Sequence, residues 1–366
     1  MLSTVVVGTL AAWPAAVRLQ ADPQPLLNLS TKARLAAIRR AQIWKPVDVA
    51  AANLRVGPEG AGAFAADATV RCDYLDKAMT GRTPKFACVV KPDDELKVKY
   101  GAENGEVFAE VAATRLLWAL GFPADRMYPV RVECQGCPPD PQRNHRATRD
   151  LVVFDPAAVE RKMTGDLMES RPDSGWTWPE LDLVDESAGG AALEQRDALK
   201  LLAVLIQHTD SKASQQRLLC GSAQKHDAKS EEACAETWMM LQDLGVTFGR
   251  ANLFNNGTTG SANFEKWSST PVWAKGDRCV GNLAPSQSGT LDNPIIGEPG
   301  RKFLAGLLVR LSDAQLTDLF DVARFAQRKT SSVRAATTAQ WVEAFKNKRD
   351  QIVNRSCVAG PAGSSI

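Results

Sequence analysis

Histidine is scarce in this chain of 366 residues: there are three, which leaves little room for a His-rich metal enzyme. Net charge is scarce too. The 44 Lys and Arg nearly cancel the 42 Asp and Glu, leaving +2, so the basic excess of a dedicated nucleic-acid binder is missing. Several signature loops are absent from the sequence. No G-x-x-x-x-G-K-[ST], H-E-x-x-H, EF-hand loop or G-x-S-x-G occurs. Gly57, Gly60 and Gly62 in VGPEGAGAF open no expected helix after a strand, and so fail the context test for a dinucleotide fold. No internal repeat is visible, and beyond the N-terminus no apolar run approaches the length of a membrane span.

What is present fits a folded protein. Hydrophobic residues make up 44% and charged residues 23%, which excludes wholesale disorder and a cysteine-dense mini-scaffold. The length suits two domains or one bilobed one. Eight cysteines read as up to four disulfides in a secreted chain, or as thiols or a metal site in a cytosolic one. Cys134 and Cys137 form a C-x-x-C, but Pro138 and Pro139 follow, where a redox pair needs a helix start. A disulfide or structural role fits better. A bridge between Cys220 and Cys234 is expected across the charged insert GSAQKHDAKSEEA. The apolar stretch LSTVVVGTLAAWPAAV, with LQA after it, is a candidate signal segment that lacks a basic start; the alternative is a buried N-terminal helix. With the cysteines it points to an extracytoplasmic location, periplasmic or secreted, and otherwise to the cytoplasm.

Strand-like runs TVRCDYL, KFACVV and LKVKYG lead into the helix EVFAEVAATRLLWAL, which has Gly121 at its C-cap and Pro123 beyond. RMYPVRVEC and DLVVFD read as strands again. A connector over 170–190 precedes the helix LEQRDALKLLAVLIQH, the strand pair QRLLC and TWMMLQDL, and long helices from 300 to 355. A sheet-rich first half followed by a helix-rich second half is an α+β protein with two unequal lobes. The tryptophans, Trp118, Trp176, Trp178 and Trp238 among them, read as core and connector packing.

One constellation carries chemistry. Asp210 follows a long apolar helix, Lys212 lies two residues on, and Gln215 lies five on, just before a strand. Asp243 ends the next strand; upstream, Lys99 ends a strand and Glu110 lies within a helix. These are the parts of a phosphoryl-transfer site. One carboxylate accepts the attacking hydroxyl's proton, a lysine neutralises the phosphoryl group, an amide and a carboxylate hold Mg²⁺, and a Lys–Glu pair grips the other phosphates. Lys97 and Lys99 alternate on one strand face, and Glu106 and Glu110 share a helix face, so spacing does not choose within either pair. Glu106 also suits a helix first turn. His208 reads as a brace for the loop.

D-x-K-x-x-Q followed by D-L-G resembles the catalytic and metal-binding loops of the protein-kinase-like superfamily. LKVKYG followed by EVAATRLLWALGFPADRMYPV resembles the strand and helix of its atypical branch: HipA-type, phosphatidylinositol-kinase-like and secretory-pathway kinases. The resemblance spans roughly residues 70–345 and selects Lys99 and Glu110. It implies a bilobed kinase-like fold with a small sheet-rich N-lobe (67–170) and a helical C-lobe (191–356). Around these lie a candidate signal segment (1–21), an extension (22–66), a linker (171–190) and a tail (357–366). It implies ATP with Mg²⁺ or Mn²⁺, Asp210 and Lys212 as catalytic groups, and Gln215 and Asp243 at the metal. Lys99, Glu110 and Gly81 would bind the nucleotide, and the acceptor is an unidentified hydroxyl on protein, lipid or small molecule, not nucleic acid. Gln215 stands where the superfamily has Asn, and Gly81 in MTGRTPKF is the best of two candidates for a phosphate loop, VGPEGAGAF being second. These departures motivate an alternative: a pseudokinase-like nucleotide- or protein-binding module. A disulfide-stabilised protein of unrelated chemistry is the third reading.

Overall fold

The computed structural model describes residues 26–81, 83–169, 174–221, 234, 236–249, 260–276, 278–286, 288–328 and 335–357. The candidate signal segment and the C-terminal tail beyond Cys357 lie outside them. The chain is a mixed α/β protein with a sheet-rich region followed by a helical one.

Five strands form the sheet-rich region: β1 (Ala68–Leu75), β2 (Lys85–Val90), β3 (Asp94–Tyr100), β4 (Arg126–Gln135) and β5 (Leu151–Arg161). They close into a barrel in the order β1-β2-β3-β5-β4. Every ladder is antiparallel except the closing one, where β1 runs parallel to β4 with Cys72 opposite Cys134. Alternation along the strands sends Val70, Phe86, Leu96, Val98, Val130 and Val159 into one apolar interior. Closure leaves a sheet without edges. β5 runs through Pro156 to Arg161, well past the DLVVFD stretch that reads as strand.

Helix α2 (Gly105–Leu120) follows β3, with the Asn104 side chain accepting from the Glu106 N–H at its start. It ends on Gly121, which is left-handed (φ 86°); a Cβ there would lie 2.2 Å from the Lys45 carbonyl oxygen. Fifteen of its sixteen residues are buried, with Glu106, Glu110 and Arg115 among them. α2 shares one core with α3 (Leu193–Ile206), α5 (Glu298–Leu308), α6 (Asp313–Val322) and α7 (Thr338–Val353). A fifth helix of this region, α4 (Phe264–Ser269), packs on α7. Among the described residues, the stretch from 300 to 355 holds three separate α-helices, α5, α6 and α7. A short antiparallel sheet of β6 (Asp166–Leu167), β7 (Gln216–Cys220) and β8 (Thr237–Leu241) lies in order β6-β7-β8.

The N-terminal stretch joins the same core. Helix α1 (Thr31–Arg39) is capped by Ser30, and Ala37, Ile38, Ile43, Val49 and Leu54 are buried with the helices. Arg34 holds Glu169 and Glu180. The described part of the 170–190 connector is packed: Trp176 and Trp178 are fully buried, and Trp176 Nε1 donates to the Arg217 carbonyl at 3.1 Å.

All eight cysteines pair, as Cys72–Cys88, Cys134–Cys137, Cys220–Cys234 and Cys279–Cys357. The second and third bridges are those the sequence suggests. Among the described residues no helix is long and apolar enough to cross a membrane.

Candidate active site

The β2–β3 hairpin sets Lys85 directly opposite Lys99. Lys97, on the same strand face as Lys99, pairs with Glu160 of β5 at 2.5 Å. Lys99 is fully buried and turns toward α2, where the i,i+4 spacing of Glu106 and Glu110 presents two carboxylates. Its Nζ lies 2.8 Å from Glu106 Oε2, 2.7 Å from Glu110 Oε2 and 3.4 Å from Asp243 Oδ1. The Glu106 contact is a hydrogen bond; the Glu110 contact is close but off the line that a hydrogen bond needs. Thr83 Oγ1 also donates to Glu106 Oε2, at 3.2 Å.

Three carboxylates thus surround one ammonium, and their ionisation divides accordingly. Burial pushes the Glu110 carboxyl up, and Lys99 offsets this only in part, leaving it at about 8. Burial also opposes charge on Asp243, but Lys99, Lys97, the Gly245 N–H and Lys85 outweigh it and hold that carboxyl well below its ordinary range. For Lys99, burial is overcome by Asp243, Glu106 and Glu110, and the ammonium is kept charged. Gly245 N donates to Asp243 Oδ1 at 3.0 Å, and a Cβ on Gly245 would meet Glu106 Oε2 at 2.8 Å. The glycine of D-L-G is therefore where Asp243 and Glu106 close on each other.

The second group is built where α3 ends. Gln207 takes a left-handed turn, and the chain then runs through His208–Lys212 and a 3-10 turn, Ala213–Gln215, into β7. Asp210 Oδ2 accepts from Lys212 Nζ at 2.9 Å and from Gln215 Nε2 at 2.8 Å. Its other oxygen, Oδ1, accepts from Ser286 Oγ at 3.4 Å. The Gln215 carbonyl accepts from the backbone N–H groups of Gln242 (2.8 Å) and Asp243 (3.3 Å), where the β7–β8 ladder ends. Asp243 thereby touches Lys99 through its side chain and Gln215 through its backbone, so the two halves of the constellation meet. His208 is fully buried beside Trp178, and neither ring nitrogen has a hydrogen-bond partner among the described residues. Burial lowers its pKa to about 4 against the pull of Asp210 and Asp243.

Gly81 is exposed between β1 and β2 with φ +95°, and a Cβ there would come 2.7 Å from Lys85 Nζ. Among the described residues no carboxylate lies within ion-pair distance of Lys85. Burial lowers its pKa, Lys99 and Lys97 lower it further, and Asp243 and Glu106 restore part. The sequence reading missed Lys85, Thr83 and Ser286, and set Glu106 aside. For Glu106 a signal existed in its spacing from Glu110; for the others the contacts depend on long-range folding.

Among the described residues no three His, Cys, Asp or Glu side chains group as metal ligands. Mg²⁺ needs fewer protein donors, because it keeps waters and phosphate oxygens. Asp243 and Gln215 each carry oxygen donors of the hard kind that Mg²⁺ takes. Asp243 is held ionised, and Gln215 Nε2 is spent on Asp210, so the amide's Oε1 is the atom left for a cation. A surface cavity lined by Arg39, Asp182, Asp185 and Arg196 lies apart from these residues, and Arg39 and Asp185 within it pair with each other.

No protein-family model and no curated protein sequence matches the chain. Among solved structures, that of the Helicobacter pylori proinflammatory kinase CtkA is similar at a TM-score of 0.39 and 10% identity, covering 78% of this chain and 95% of that one.

Proposed function

We propose that the protein is an ATP- and metal-dependent phosphotransferase of bilobed, atypical protein-kinase-like fold, acting on a hydroxyl acceptor. The observation that carries this reading is the double engagement of Asp243, which links the buried Lys99–Glu106–Glu110 cluster to the Asp210–Lys212–Gln215 loop. Lys99, held by its carboxylates, would grip the nucleotide phosphates, and Gly81 would supply a turn over them. Asp210 accepts the proton of the acceptor hydroxyl, and Lys212 neutralises charge on the transferring group. Gln215 and Asp243 would hold the divalent cation, which supplies charge neutralisation for the phosphates when bound. Four disulfides favour an oxidising, extracytoplasmic location for this activity.

Asp210→Asn is expected to abolish transfer while keeping the thermal shift produced by ATP with Mg²⁺ or Mn²⁺. Undiminished phosphorylation by that variant would sink the assignment. The second reading, a binding module without efficient catalysis, is favoured by one feature: Gln215 is engaged by Asp210 and carries a longer arm than the superfamily's Asn. Nucleotide at about 100 times its Kd stabilises a folded protein by about 2.7 kcal/mol. No shift at millimolar nucleotide would favour the module, and a metal-dependent shift of that size would favour the enzyme.

A further inference from the structure

The segment around Ser286 is fastened to the loop that carries Asp210. Ser286 N donates to the Thr209 carbonyl at 2.7 Å. Four residues later, the Thr290 N–H and hydroxyl donate to the Ser211 carbonyl at 3.1 and 2.9 Å, and Leu291 N donates to Ser211 Oγ at 3.1 Å. The two neighbours of Asp210 are therefore both tied to this segment, Thr209 through Ser286 itself and Ser211 through residues four and five positions beyond it. Trp178 N donates to Thr290 Oγ1 at 3.1 Å and adds a tie to the packed connector. A Cβ on Gly289 would come 2.9 Å from Ser211 Oγ, so the close approach depends on a glycine.

These ties place one hydroxyl at one carboxylate oxygen. Asp210 Oδ2 is occupied by Lys212 and Gln215, and Oδ1 faces Ser286 Oγ at 3.4 Å. An O–H···O hydrogen bond at its optimum settles near 2.7 Å. Ser286 is only half-buried, and its contact is long, as general-base contacts often are before substrate binds.

We propose that the protein phosphorylates itself, within one chain, on Ser286. The proposal rests on the phosphotransferase reading and names an acceptor for that site. In the step, a bond forms between Ser286 Oγ and the γ-phosphorus of a nucleoside triphosphate. The bond from that phosphorus to the β,γ-bridging oxygen breaks, the hydroxyl proton passes to Asp210, and the nucleoside diphosphate leaves. The new phosphoserine sits beside Lys212, which pairs with it, and it fills the position an external acceptor would take.

The test incubates the full oxidised chain with ATP and Mg²⁺ or Mn²⁺, followed by intact-mass measurement and peptide mapping. The expected result is phosphate on Ser286, accumulating with a rate constant that does not change on dilution of the protein. Ser286→Ala should reduce incorporation to background, and Ser286→Thr should restore it as phosphothreonine. Phosphate found only elsewhere, or labelling of Ser286 whose rate constant falls with dilution, overturns the proposal. Conversion of ATP to ADP, or transfer to an added acceptor, with Ser286 unmodified overturns it and leaves the phosphotransferase reading standing. Absence of both nucleotide binding and turnover overturns the two together.

Discussion

Lys99→Met removes the one ammonium that three carboxylates share. Met keeps the length of the stem, so the change is chiefly one of charge. Glu106, Glu110 and Asp243 are left around the place where Nζ stood, 2.7–3.4 Å from each. Removing one partner from a buried ion pair typically costs about 3–5 kcal/mol, because the remaining charge is left without compensation. The native Asp243 carboxyl, depressed below 3.8, contributes stability at neutral pH that is lost as pH falls through its folded value. Glu110 has the opposite sign: raised from 4.5 to about 8, it erodes stability as pH rises across that window. Without Lys99, Asp243 joins Glu110 among the raised carboxyls. The variant should therefore be weakest near pH 8 and regain part of its loss toward pH 5.5, by up to about 1.4 kcal/mol per pH unit for each extra proton bound. Urea unfolding of both proteins at the two pH values measures this. A loss below about 1 kcal/mol, or one that is the same at both pH values, would refute the electrostatic account, since a broken buried pair costs more and must titrate.

Lys85→Met should leave urea stability unchanged or slightly higher without nucleotide, since an unpaired, half-buried ammonium gains nothing from folding. The same variant should need more ATP to reach a given thermal shift; an unaltered ATP dependence would show that Lys85 does not face the phosphates. His208 stays neutral in the fold down to about 4, whereas the unfolded chain takes up its proton near 6.5. Stability should therefore fall by up to about 3 kcal/mol as pH drops through that window. His208→Leu should lessen that fall, and an identical pH profile in the variant would exclude the imidazole as its source.

Much of the site was legible because its parts are local patterns. Alternation put Lys97 and Lys99 on one face, helical spacing put Glu106 and Glu110 on another, and a helix-to-strand junction located Asp210. Spacing offered no way to choose within either pair. The structure shows why a choice between the glutamates was unnecessary: both reach Lys99, while Lys97 is drawn off by Glu160 on β5. The β5 partner, the parallel closure of β1 on β4 and the approach of Ser286 to Asp210 all join residues remote in sequence. No periodicity records such contacts. β5 also runs on past the end of the DLVVFD stretch through Pro156, which lies between the paired residues Phe154 and Ala157 where the β4–β5 register shifts.

The cysteines have an order of their own. Counted from the N-terminus, each odd-numbered cysteine is bonded to the one that follows it: 72 to 88, 134 to 137, 220 to 234, 279 to 357. Eight thiols admit about 105 complete pairings. A chain oxidised in the order in which it emerges, however, offers each new even-numbered thiol a single unpaired predecessor, which is its native mate. The bridge pattern thus turns a combinatorial search into a reading in one direction, and no bond formed early has to be broken later.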